Sequence, residues 1–270
     1  MKVSSLKQSE YLARFQTYLE ERLTRGDFAL KDAMLYATLD GGKRIRPLCV
    51  YLGARAIGDA DLDEVLAIAY AVEMVHSYSL VHDDLPSMDN DDLRRGKPTV
   101  HKKFGEANGV LTGDALLTEA ARHLVLTAKG KSEYYLSACN EILLGAERMV
   151  NGQVKDLAGC RTKEEYLKMY ENKTGALILA SMRAGAILAR ADAEGLECVS
   201  EYAKHLGLAF QLADDLLDDD GEPSIINAIG REETKRLLEC ETASAIEVAK
   251  TLSGVEELTA FATALCNRKN

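Results

Sequence analysis

The stretch "DLDEVLAIAYAVEMVHSYSLVH", from Asp61 to His82, limits the architecture more than any other part of the chain. It has helical spacing, and its second half is apolar nearly all round. A helix without a polar face must be covered by other elements on every side. Pro86 ends it, because the residue before a proline is driven out of helical geometry. The covering elements are legible too. Helical periodicity is expected over Ser9 to Leu23, the run "LCVYLGARAIG" after "KRIRP", Thr112 to Thr127, Ser132 to Asn151, Lys163 to Met169, Gly175 to Arg190, Glu194 to Leu217 and Arg231 to Leu252. No stretch alternates with period two, and no linker or repeat divides the sequence. The expectation is an all-α fold, one domain over 1–270, of about ten helices.

Composition agrees and removes several function classes. Hydrophobic residues make up 47% of 270, enough for a sizeable core, and only four prolines interrupt helix formation. A net charge of −10 argues against a nucleic-acid binder, which needs a broad basic face. The six cysteines form no C-x-x-C pair, which reads as reduced thiols in a cytoplasm. "MKVSSLKQSEYLARFQ" lacks the apolar run of a signal peptide, and no stretch reaches the roughly 20 apolar residues of a membrane span. Stable membrane insertion is therefore not expected.

Two acidic clusters break the helical pattern. In "LVHDDLPSMDNDDLRRGKPT", Asp83, Asp84 and Asp89 precede Arg94 and Arg95; in "GLAFQLADDLLDDDGE", Asp214, Asp215 and Asp218 end an apolar helix. Asp214 and Asp218 are four apart, so they share a helix face, with Gln211 one turn earlier. His76 and Asp83, seven apart, share another. A lone acidic triplet is more often a solvated helix end. Two of them, each closing an apolar helix, repel unless protonated or neutralised by cations. Oxygen-only ligands suit Mg²⁺, which takes one or two carboxylates plus phosphate oxygens, and neighbouring guanidinium groups match phosphate geometry. The residues therefore point to magnesium and a diphosphate.

In this light the chain resembles the trans-isoprenyl diphosphate synthases, the polyprenyl synthetase family, and most closely its bacterial-type farnesyl diphosphate synthases. "GGKRIRP" (Gly41–Pro47), "EMVHSYSLVHDDLPSMDNDDLRRGKPT" (Glu73–Thr99), "GDALL" (Gly113–Leu117), "GQVKDL" (Gly152–Leu157), "KTGAL" (Lys173–Leu177) and "GLAFQLADDLLD" (Gly207–Asp218) occur in the family's order. The resemblance implies helices around a central cavity and the condensation of isopentenyl diphosphate with an allylic diphosphate, dimethylallyl or geranyl, to farnesyl diphosphate. It implies that Asp83, Asp84, Asp89, Asp214, Asp215 and Asp218 chelate magnesium. Arg94, Lys173, Thr174 and Gln211 would contact the allylic substrate. Lys43, Arg46, His76 and Arg95 would hold isopentenyl diphosphate. The catalytic set is Asp83, Asp84, Asp89, Arg94, Lys173 and Asp214, and a homodimer is implied as well. Taken singly, Lys43 and Arg46 would read as solvated charges, and His76 as a hydrogen-bonded core histidine.

Tyr78 and Ser79, five and four residues before Asp83, stand about 6–8 Å deeper along the same helix. An aromatic ring at that depth, by the same resemblance, stops chain growth at fifteen carbons. The sequence departs from the family after Asp220. A loop with lysines is absent, and the next lysine is Lys235. The rivals are thus a geranylgeranyl or geranyl diphosphate synthase and a catalytically impaired partner subunit. A terpene cyclase is disfavoured by "GGKRIRP" and Arg95, which it would not need.

Overall fold

The computed structural model describes residues 1–26, 29–39, 41–217 and 223–266. After a 3₁₀ turn at Val3–Ser5, the helices are α1 (Gln8–Arg25), α2 (Lys31–Leu39), α3 (Ile45–Ile57), α4 (Leu62–Asp83), α5 (Val100–Phe104), α6 (Glu106–Thr127) and α7 (Glu133–Ala158). There follow α8 (Lys163–Tyr170), a π-helical turn (Glu171–Gly175), α9 (Ala176–Leu188), α10 (Ala193–Leu217), α11 (Ile225–Ile229), α12 (Arg231–Ala249) and α13 (Val255–Cys266). The all-α expectation holds, with more segments than expected, among them the short α5 and α11. The one β element among the described residues is a minimal hairpin, Leu93–Arg94 against Lys97–Pro98.

α4 is the axis. The Asp61 carboxylate caps it, accepting the backbone N–H groups of Asp63 (3.0 Å) and Glu64 (3.3 Å). The helix packs against α1, α2, α3, α6, α7 and α9, so its all-round apolar surface is covered by protein. It is the one described helix long and apolar enough to cross a membrane, and 78% of that apolar window is buried. It stops at Asp83, ahead of Pro86. The chain then folds back, the Asp89 N–H donating to the Asp83 carbonyl at 2.9 Å. At the hairpin both turn residues have positive φ, Arg95 at 53° and Gly96 at 75°, as a two-residue hairpin turn demands.

Three helix boundaries differ from the periodicity, and each has a packing cause. α7 runs on through Gly152, where a Cβ would lie 2.7 Å from the Asn172 carbonyl carbon. That glycine marks backbone-on-backbone contact rather than a helix end. α6 begins before Gly109 and Gly113; a Cβ at Gly113 would meet the His82 ring. The break expected between Met169 and Gly175 is the π-helical turn, through which α8 passes into α9.

Candidate active site

α3, α4, α7, α10, the hairpin and the π-helical turn enclose a cavity of about 860 Å³. Lys43, Arg46, His76, Tyr78, Ser79, Asp83, Arg94, Arg95, Lys173, Thr174, Gln211 and Asp214 line it together, although they are dispersed over 172 positions of sequence, 43 to 214.

One wall is cationic. Gly41 and Gly42 (φ 98° and 103°) and Arg44 (φ 50°) bend the chain into α3 and bring Lys43, Arg44 and Arg46 to the cavity. The Arg95 guanidinium reaches back over this bend, its Nη1 3.0 Å from where a Cβ at Gly42 would lie, and the φ of 103° there suits glycine. Arg46 Nη1 lies 3.3 Å from His76 Nε2. A guanidinium can only donate, so Nε2 accepts and the imidazole proton sits on Nδ1. That Nδ1–H, and Arg46 Nε, are buried without a hydrogen-bond partner. Burial and the surrounding Arg46, Arg95, Arg94 and Arg44 hold the His76 pKa well below the ordinary histidine value, so the ring is neutral. Burial and mutual repulsion also lower the pKa of Arg46 and Arg95. Among the described residues the acid in this wall is Glu73, 4% exposed, which pairs with Arg44 at 2.5 Å.

The facing wall is anionic. Burial pushes the Asp83 carboxyl up to about 6; Lys173 opposes the shift, and Asp89 and Asp84 reinforce it. Burial also raises Asp89 and Asp84. Lys173, carried by the π-helical turn, pairs with Asp156 of α7. Burial alone would lower its pKa, yet Asp156, Asp83 and Asp89 outweigh that and hold the ammonium charged. Thr174 Oγ1 donates to Gln211 Oε1 at 2.7 Å.

Not all of the expected site residues converge. Asp84, on the far side of the α4 terminus, accepts Arg94 Nε (2.7 Å) and Nη2 (2.6 Å), and it lines a separate small cleft. Asp89 is exposed and does not line the cavity, although it interacts electrostatically with Lys173. Asp215 points away from its neighbour Asp214, accepting hydrogen bonds from Tyr170 and Gln211. Asp218 and the shortened segment at 218–222 lie outside the described residues. Among the described residues no three His, Cys, Asp or Glu groups form a metal cage. Sequence reasoning missed Arg44, Glu73 and Tyr170, and assigned no role to Gln153 and Asp156. An acid inside an apolar helix, one turn before His76, was the available signal for Glu73.

Below the charged walls the lining is apolar: Met149 and Val150 of α7, Phe210 of α10 and the ring of Tyr78. Tyr78 is 6% exposed, stacks edge-on against His82 at 5.9 Å, and leaves its buried hydroxyl without a partner. His82 Nε2 in turn donates to the Val110 carbonyl of α6 at 3.0 Å. The cavity thus offers guanidinium groups to one polyanion, carboxylates for hard cations that could bridge a second, and a dry recess for a hydrocarbon.

The comparisons point the same way. Residues 28–240 match the model of the polyprenyl synthetase family. Over 222 residues the chain is 44% identical to the farnesyl diphosphate synthase of Bacillus subtilis (strain 168), covering 79% of this chain and 74% of that one. It is 41% identical over 248 residues to the farnesyl diphosphate synthase of Geobacillus stearothermophilus, covering 86% and 82%. The crystal structure of an FPP/GFPP synthase from Zymomonas mobilis superposes with a TM-score of 0.87 at 32% identity, over 96% of this chain and 98% of that one. With matched residues that include both walls of the cavity, the chain belongs to the polyprenyl synthetase family.

Proposed function

We propose that the protein is a prenyltransferase that joins isopentenyl diphosphate to dimethylallyl or geranyl diphosphate and releases farnesyl diphosphate. The observation that carries this reading is the pair of facing walls, each crowded with like charge and of opposite sign, above one apolar recess. Lys43, Arg46, His76 and Arg95 form the isopentenyl diphosphate pocket, where the unpartnered Nδ1–H and Nε–H donors await an anion. Arg94, Lys173, Thr174 and Gln211 hold the allylic diphosphate. We read residues 1–270 as one catalytic unit, since helices from α3 to α10 share the cavity.

The donor set fits magnesium. It is oxygen-only, burial and neighbouring carboxylates raise Asp83 and Asp89, and among the described residues it forms no cage, as suits an ion that keeps water and substrate oxygens. Asp83, Asp89 and Asp214 would hold it. Asp84 and Asp215, engaged by Arg94 and by Tyr170 and Gln211, act instead as orienting partners. Bound magnesium would neutralise the allylic diphosphate and improve it as a leaving group.

The chain's own groups account for the remaining steps. Arg94 and Lys173 bind the departing diphosphate as the C1–O bond breaks, leaving positive charge on the allyl group. Tyr78, Phe210 and Met149 exclude water, which would otherwise capture that cation. The isopentenyl double bond supplies the electron pair for the new C1–C4 bond, and a proton passes to the diphosphate. Preorganised charge on the leaving group is the main catalytic contribution.

Two further assignments belong to this reading. α7 exposes Leu136, Leu143, Val150, Val154 and Leu157, largely at heptad spacing, and α6 exposes Val110 and Leu111. This apolar surface supports a homodimer. The five described cysteines are unpaired, which suits a reducing cytoplasm.

The test is incorporation of labelled isopentenyl diphosphate into primers of increasing length. Dimethylallyl and geranyl primers should both yield the fifteen-carbon product, with farnesyl diphosphate extended poorly. Tyr78→Ala should open the recess and shift output to twenty carbons or more, since the ring is held in a closely packed core. Wild-type product of mainly twenty carbons would refute the farnesyl assignment, and an inert chain would refute prenyl transfer.

A further inference from the structure

Behind the cavity runs a hydrogen-bonded chain of four side chains that ends outside the site. The backbone N–H of Ile225, the first residue of α11, donates to Tyr170 Oη at 3.1 Å. Tyr170 Oη donates to Asp215 Oδ2 at 2.5 Å. Gln211 Nε2 donates to Asp215 Oδ1 at 3.1 Å, and Thr174 Oγ1 donates to Gln211 Oε1 at 2.7 Å. Tyr170, Asp215 and Thr174 are all buried.

We propose that Tyr170 is a positioning residue that, through Asp215, fixes which polar atoms Thr174 and Gln211 turn toward the cavity. This rests on the prenyl-transfer reading. Donor and acceptor counting carries it. A carboxylate only accepts, so Asp215 requires the amide nitrogen of Gln211 to face it. The amide oxygen must then face Thr174, whose hydroxyl proton it takes. Thr174 therefore shows the cavity lone pairs and no proton, and the second N–H of Gln211 remains for an anion. Lone pairs suit an allyl group that becomes positive, whereas a hydroxyl proton would oppose that charge. Without Tyr170, Asp215 loses its 2.5 Å hydrogen bond, the carboxylate is held less firmly, and the Gln211 amide can reverse.

The arrangement also ties the site to the chain beyond the second acidic cluster. Tyr170, Leu212 and Ile225 pack in a small apolar core with Tyr166 and Met169, separate from the main one. α11 is thus locked to the π-helical turn that carries Lys173 and Thr174.

Steady-state kinetics of the full chain test this. Tyr170→Phe removes one oxygen and should lower kcat about 10- to 100-fold, the scale of small misplacements in a site. The KM for isopentenyl diphosphate should stay within about twofold, since uniform binding there is untouched. Asp215→Asn, which presents an NH₂ to Gln211, should give a loss of the same order. Tyr170→His retains a ring donor and should recover most of the Phe variant's loss. Calorimetry with a non-ionisable allylic thio-diphosphate should show affinity changed by less than about threefold in Tyr170→Phe, because the defect concerns the developing charge. A wild type that turns over while Tyr170→Phe keeps kcat within about twofold overturns the relay alone. Equal weakening of both substrates with a large drop in melting temperature does so too, by showing a structural role. A wild type that condenses nothing overturns the prenyl-transfer reading and the relay with it.

Discussion

The two walls of the cavity achieve charge crowding by different means. The cationic wall is built on backbone: Gly41, Gly42, Arg44 and Arg95 all adopt positive φ, and the guanidinium of Arg95 lies against a residue without a side chain. The anionic wall is built on helix ends, where neighbouring carboxylates point in different directions. There Asp83 and Asp214 face the cavity, while Asp84 and Asp215 face away and are bonded. Around the cavity the crowding is divided between groups that are paired, Arg44 with Glu73, Arg94 with Asp84 and Lys173 with Asp156, and groups such as Arg46 and His76 that keep unused donors. A protein that crowds like charge at its centre stays folded by this division, and the residual repulsion is relieved when counter-charged ligands bind.

The largest expected effect breaks the anionic wall. Asp83→Ala or Asp214→Ala should lower kcat by about 10³-fold or more, the scale for losing electrostatic stabilisation of a leaving group. EDTA should abolish turnover of the wild type, and unchanged activity in EDTA would remove magnesium from the account.

Next comes Glu73, the acid that pairs with Arg44 in the cationic wall. Removing one partner of a buried ion pair costs about 3–5 kcal/mol, and Glu73→Ala should show a loss of that order in urea unfolding. Inorganic pyrophosphate should restore part of it, because an anion bound only to the folded state stabilises by mass action. A loss that pyrophosphate does not touch would mean that repulsion among the arginines is not what Glu73 offsets.

The smallest effect separates the pockets. Lys43→Ala should raise the KM for isopentenyl diphosphate about 10-fold, as befits one charge-assisted hydrogen bond, with the allylic KM nearly unchanged. Equal weakening of both substrates would merge the two walls into one site.

How far the sequence reached is clearest at particular residues. The apolar axis α4 and its end at Asp83 were legible because burial and proline leave direct marks on residue type. So were twelve of the residues that line the cavity, through the family's motifs. The direction of adjacent side chains was not: Asp83 and Asp84, or Asp214 and Asp215, are identical in type and differ by about 100° around a helix. Glycine misled for a similar reason. Gly152 and Gly109 fell outside the expected helices, yet they are sites of close helix contact, and no local signal separates those two uses. Tyr170 was illegible because its partner, Asp215, is forty-five positions away.

The contact at Gly152 has a bearing on how such a cavity can change over generations. Where α7 meets the π-helical turn, the wall is main chain against main chain, and any side chain at Gly152 would strike Lys173 and Asn172. Substitution cannot widen or narrow the cavity there without moving a helix. At the opposite end the floor is a side chain, Tyr78, which one base change can replace. Drift in this chain is therefore channelled: the cavity wall is held constant where it is backbone and left open to selection where it is side chain.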